Sequence, residues 1–172
     1  MATQPFRLIG TVINKRAADI PRAVGSVARK CAAVIGENVA KDTPVDSGVA
    51  RSNWLMGIDQ ILTYTIPAYA PYIKTSSEIY AQRAAERIAG HGHVMGTGDK
   101  EETANLVAVL SQHFTALQHF DPAVNNTIYL SNSLPYMEKL NMGSSPQTAA
   151  GFINRAVDTG IAAIRGMKLM GP

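Results

Sequence analysis

Twelve residues from Thr43 to Trp54, TPVDSGVARSNW, constrain the fold of this chain more than any other stretch. They must stop a long amphipathic helix and start an extended segment within one corner. Pro44 has no amide hydrogen to donate and pushes Thr43 into extended geometry, so the helix ends there. Asp46, Ser47 and Gly48 supply turn chemistry: a carboxylate that can accept a local amide, and a glycine free to take positive φ. Arg51, Ser52, Asn53 and Trp54 follow, placing a planar donor fork and the only tryptophan at the start of a strand expected over 52–59.

Upstream of the corner, Val24, Val27, Ala28, Cys31, Val34, Ile35 and Val39 recur at spacings of three and four, which defines one helix face. Pro21 suits the first turn of that helix, so residues 1–20 read as a separate N-terminal arm. Within the arm, residues 6–18 fit either a helix face or an extended segment. Cys31 is the sole cysteine and lies on the apolar stripe, which excludes an internal disulfide and predicts a buried, inert thiol.

Downstream, Ile61 to Ile66 reads as a second strand, and Gly57 as the site of a bulge. Residues 67–100 read as an insertion of surface loop and helix, with a helix over 77–89 and a flexible tract at Gly90, Gly92, Gly96 and Gly98. Asp99 and Glu102 have the spacing of a capping box. They open a helix whose apolar side is Leu106, Val109, Leu110, Phe114 and Leu117 and which ends before Asp121-Pro122. A short strand is expected over 127–131. Ser145-Pro146 opens a last helix with Phe152, Ile153, Ala156, Val157, Ile161 and Ile164 on its face. The element order predicts a single α+β domain over 1–172, with a small, mainly antiparallel sheet and long helices packed on one face.

Reactive chemistry is sparse. His91, His93, His113 and His119 lack the spacing of a zinc site, and no second cysteine joins Cys31. The glycine tract has Lys100 nearby but no Gly-Lys-Ser or Gly-Lys-Thr ending, so it is no phosphate loop. Ser144 lies outside any Gly-x-Ser-x-Gly elbow. The expectation is a protein without metal, cofactor or catalytic residues. No apolar run is long enough for a bilayer, and the N-terminus has no signal-like core, so a soluble protein made in the cytosol is expected.

Charge is uneven. Residues 1–41 carry seven Lys or Arg against Asp19 and Glu37, a net of +5, and residues 42–172 carry nine against eleven, a net of −2. Arg22, Arg29 and Lys30 therefore become candidate contacts to an acidic partner or to DNA, beside the plainer reading of a solvated helix face.

The first block, 43–54, and a second, IYLSNSLPYMEKLNMGSSPQTAAGF from Ile128 to Phe152, resemble segments of the tail-completion and neck proteins of long-tailed bacteriophages. That family includes the minor tail protein Z of lambda. The second block carries its strand, its Asn-x-Leu-Pro-Tyr turn, its Glu-x-Leu-x-x-Gly segment and its Ser-x-Gln stretch, in the same order. The chain departs at Val49, and at Thr148 and Ala149. The resemblance implies a structural virion protein of the head-tail junction, a homo-oligomeric ring that joins the connector or adaptor to the tail tube or terminator. Genomic DNA would pass its lumen without sequence-specific binding, and no membrane is involved. It marks Thr43, Pro44, Asp46, Gly48, Arg51, Trp54, Asn132, Pro135, Tyr136 and Gly143 as corner or interface residues. The other readings are a tail terminator or stopper of the same neck, a DNA-binding module built on the basic helix, and a small hydrolase using Ser144 or Cys31.

Overall fold

The computed structural model describes residues 4–45, 48–67 and 100–167, with the backbone alone for residues 4–18 and 100–103. Outside the described residues lie Asp46, His91, His93, the helix expected over 77–89, the glycine tract, and the side chains of the Asp99–Glu102 cap. In chain order the elements are α1 (Gln4–Asp42), α2 (Val49–Ser52), β1 (Leu55–Ile58), α3 (Lys100–Gln118), β2 (Ile128–Ser131), α4 (Met137–Asn141) and α5 (Phe152–Ile164). Helices with a small antiparallel strand pair make an α+β fold, as the element pattern predicts.

The longest element is α1, whose 39 residues span about 58 Å at the usual helical rise. It runs unbroken through Pro21, so the helix boundary expected there is corrected. Proline removes one helical hydrogen bond, but its fixed φ is itself helical, and Ile20, Val24, Val27 and Cys31 keep one 4-3-4 spacing across the site. The helix ends at Asp42, next to Thr43 and Pro44, as that pair predicts.

β1 and β2 pair antiparallel, with Leu55 opposite Ser131, Met56 opposite Leu130, Gly57 opposite Tyr129 and Ile58 opposite Ile128. Two strands alone are marginal, and α1 and α3 pack against this pair. Gly57 sits in regular register, not in the expected bulge. Its bare Cα admits the returning chain, since an added Cβ would lie 2.4 Å from the Gln60 carbonyl oxygen. The strand is shorter than the expected 52–59 because Arg51 and Ser52 belong to α2. Residues 61–66 form no strand. Asn53 takes the place of a neighbouring strand there: its Nδ2 donates to the Ile66 carbonyl and its Oδ1 accepts from the Ile66 amide, both at 2.8 Å.

The core joins Val39 and Ala40 of α1, Ala50 of α2, Trp54, Val109 of α3, Met137 of α4, and Phe152 and Ala156 of α5. On α3 the buried face runs Val109, His113 and Leu117 at four-residue steps, and Phe114 is 63% exposed instead of lying among the expected core positions. A helix turns 100° per residue, so Phe114 falls in line with exposed Val107, seven residues earlier, and His113 takes the core position.

α5 begins at Phe152, not at Ser145-Pro146, because Gly151 at φ 78° turns the chain into the helix there. Residues 145–150 are bound elsewhere: Gln147 to Val45, and the Ala149 and Ala150 carbonyls to the Arg155 guanidinium. α5 lies close on α1 at Gly160, where an added Cβ would meet Ile35 Cγ1 at 2.3 Å and the Cys31 carbonyl oxygen at 3.1 Å. Val157 and Ile161, expected on the packed face, stay exposed at its edge, because the closest approach runs through Ala156 and Gly160. Cys31 is half-buried beneath this crossing, less enclosed than its stripe position predicts.

Candidate functional site

Gly48 opens α2 with φ 77°, a left-handed backbone that a side chain would strain. The α2 turn brings Trp54 back over the end of α1. The Trp54 indole Nε1–H donates to Thr43 Oγ1 at 2.7 Å, and the Thr43 hydroxyl donates in turn to the Val39 carbonyl. Tryptophan and threonine are both buried, so this chain of two bonds satisfies the indole and closes the corner inside the core. Arg51 is also buried, and its Nη2 points at the Lys41 and Thr43 carbonyls, 3.4 and 3.5 Å away, where α1 ends. A cation at exposed C-terminal carbonyls complements the helix dipole.

Two side chains on α3 fasten the same corner. Asn105 Nδ2 donates to Ser52 Oγ at 2.7 Å, and the Ser52 hydroxyl donates back to the Gly48 carbonyl at 2.8 Å. His113 Nε2 lies 2.8 Å from the Trp54 carbonyl. A carbonyl can only accept, so Nε2 carries the hydrogen. The other ring nitrogen, Nδ1, has no partner among the described residues and faces Gly36 of α1, where an added Cβ would lie 2.7 Å from it. Burial pushes the His113 pKa below its ordinary value, against the opposing effect of the Trp54 bond.

The second block meets the first at two points. Asn132 Nδ2 donates to the Ala50 carbonyl at 2.8 Å, and its Oδ1 accepts from the Leu134 amide at 3.2 Å, so one side chain ties α2 to the bend after β2. Gln147 holds both backbone groups of Val45. Behind these, Asn141 at the end of α4 accepts from Ile153 N–H at 3.0 Å through Oδ1, and its carbonyl accepts from Gly151 N–H at 2.6 Å. Gly143 turns at φ 88° against Ala150.

Of the residues singled out by sequence, Thr43, Pro44, Gly48, Arg51 and Trp54 are buried and Asn132 is half-buried, all in one assembly. Pro135, Tyr136 and Gly143 are exposed on its surface, as is Met142. The basic candidates stand apart on α1. Arg22 is exposed and bonded to Asp19 at 3.4 Å, Lys30 is exposed, and Arg29 is half-buried with its Nη1 donating to the Phe120 carbonyl at 2.8 Å. Sequence reasoning missed Asn53, Asn105, His113, Gln147 and helix α4. Of these, Asn53 lies in the first block, and Gln147 and α4 in the Ser-x-Gln and Glu-x-Leu stretches of the second; Asn105 and His113 lie in neither.

The corner's amides, hydroxyl and imidazole are directed at backbone atoms or at each other, an arrangement that positions chain segments. Among the described residues no three of His, Cys, Asp and Glu converge to hold a metal ion, and no helix is long and apolar enough to cross a membrane. No family model, curated protein or solved structure matches the chain.

Proposed function

We propose that this chain is a structural subunit of a bacteriophage head-tail junction, a non-enzymatic ring protein that completes the tail or neck and lets the genome through. One observation carries the reading. The two sequence blocks that resemble the tail-completion and neck family, separated by more than seventy residues, meet in one hydrogen-bonded corner through Asn132–Ala50 and Gln147–Val45. Motifs that jointly build one corner are what a shared scaffold requires, and two chance resemblances carry no such demand.

The mechanism is geometric. A rigid corner fixes the angle between α1 and the strand pair, and copies related by rotation then bury non-identical patches until a ring closes. The faces of that ring would match the connector on one side and the tail tube or terminator on the other. Arg29 is half-buried and donates to the Phe120 carbonyl, a use within the chain that favours the protein-joining reading over the DNA-binding module.

Removal of the coding sequence from the phage tests this reading. The expected product is filled heads and separate tails, joined again when the protein is supplied in trans. Fully joined, infectious particles from the deletion would refute it.

A further inference from the structure

Gln112 of α3 fixes which way the strand backbones face. Its Oε1 accepts from the Met56 N–H at 3.4 Å and its Nε2 donates to the Met56 carbonyl at 3.2 Å, so both backbone groups of Met56 point away from β2. In an antiparallel ladder the residue opposite such a position also turns its backbone groups outward. The Asp59 N–H, three residues on, donates to the Thr127 carbonyl at 2.9 Å, which is the inward phase that this alternation requires. Leu130, opposite Met56, and Ile128, opposite Ile58, therefore direct their N–H and C=O groups to the outer edge of β2.

That edge is open. The sheet has two strands, and among the described residues no hydrogen bond reaches the outward groups of Ile128 or Leu130. The outer edge of β1 is closed at Met56 by Gln112. The faces are occupied as well, since Met56 Cε packs at Gly36 of α1, and Gln60 and Leu62 pack at Gly57. Alternating donors and acceptors on an uncovered edge select an extended backbone as their partner.

The edge fits a second copy of itself. Antiparallel pairing about a two-fold axis at Tyr129 sets Ile128 of each copy opposite Leu130 of the other, and every such pair exchanges both bonds. Tyr129 then meets its own counterpart in the non-hydrogen-bonded position, where side chains come closest and aromatic pairs are favourable. From Asn125 to Leu134 the chain has no charged residue, so no like charges oppose each other, and neither proline nor lysine guards the edge.

We propose that two copies of this chain pair through antiparallel β2 strands centred on Tyr129, joining their two-stranded sheets into one continuous sheet. The contact uses the same edge on both copies and closes at two. It goes beyond the head-tail reading and does not rest on it, being independent of the contacts between unlike patches that a ring needs.

Amide hydrogen exchange of the full chain, read by NMR across a dilution series, tests it. The Tyr129 and Ser131 amides face β1 and should be protected at every concentration, whereas those of Ile128 and Leu130 should become protected only where sedimentation reports a dimer. In a Cys31→Ser background, Tyr129→Cys should form a symmetric disulfide, because Cα atoms in such a pair lie about 4.5 Å apart. Tyr129→Lys sets two cations opposite each other and should weaken dimerisation about tenfold at low salt, with the circular dichroism of the wild type.

A wild type that stays monomeric, protection of Ile128 and Leu130 that does not change with concentration, or a dimer in which both exchange freely would overturn the contact. So would a dimer that forms no Tyr129→Cys disulfide, or protection that appears only when a different protein is added. Each of these results leaves the head-tail reading untouched, and a protein located away from the junction leaves the strand pairing in place.

Discussion

Gln147 holds Val45 by both ends of one amide: Oε1 accepts from the Val45 N–H at 2.7 Å, and Nε2 donates to the Val45 carbonyl at 3.0 Å. A glutamine so placed acts as one rung of a strand ladder, joining the turn before α5 to the segment after α1. Val45 is buried while Gln147 is solvent-facing, so removing the glutamine leaves both Val45 backbone groups to pair with water at the opened edge.

Gln147→Ala should therefore lower stability by about 0.5–1.5 kcal/mol, the net value of a hydrogen bond whose partners can turn to water. Urea unfolding measures it, with the slope unchanged and the midpoint reduced. Gln147→Glu keeps an acceptor but loses the donor, so it should fall between alanine and wild type or below alanine, never at wild type.

Gly160→Ala should cost about 1–3 kcal/mol by overpacking the α1–α5 crossing. Its methyl would fall 2.3 Å from Ile35 Cγ1, with the Cys31 carbonyl closing the other side. Combining it with Ile35→Ala removes the nearer clash, so the double variant should lose less than the sum of the singles in a thermodynamic cycle. Strict additivity would mean that the helices do not cross at this point.

Much of this was legible in local chemistry, and the parts that were not share a cause. Proline at 44 and glycine at 48 act on their own backbone, so the end of α1 and the turn after it follow from composition alone. Gln147 reaches Val45 across 102 residues, and Asn53 substitutes for a strand beside Ile66; both residues lie in the two blocks, but neither block names the partner. Periodicity misplaced Phe114 because apolar residues occur on both faces of α3, and the polar Asn105 and His113 are buried. The same holds for Val157 and Ile161, where an apolar face wider than its neighbour left its edge uncovered.

His113 predicts a loss of stability in mild acid. Its folded pKa lies below the ordinary value because burial disfavours the imidazolium, so the unfolded chain binds the proton more readily. Stability is then fully present above the unfolded pKa of about 6.5 and declines as pH falls from there towards the folded value. Urea titrations from neutral to weakly acid pH should show this slope, and His113→Gln, whose Nε2 can still donate to the Trp54 carbonyl, should flatten it. An unchanged slope in that variant would assign it to another group.

Asp59 predicts a second window at lower pH. It is the described non-glycine residue with positive φ, 55°, and its carboxylate accepts from the amides of Asn126 and Thr127, each at 2.8 Å, and from Asn125 Nδ2 at 3.0 Å. The Asn125 bond, then the Thr127 and Asn126 amides, hold its pKa below the usual carboxylate value. That contribution is present above the unfolded pKa of about 3.9 and disappears as pH falls through the folded one. Asp59→Ala should abolish this acid-dependent loss, read as amide exchange at Asn126 and Thr127 that no longer depends on pH beyond the intrinsic chemistry.

The head-tail junction role depends on where the protein sits in a particle. Purified virions carrying this protein with an accessible label, imaged by electron microscopy, should show the label at the junction between head and tail. Label distributed over the capsid exterior, or confined to the distal tail tip, would contradict it.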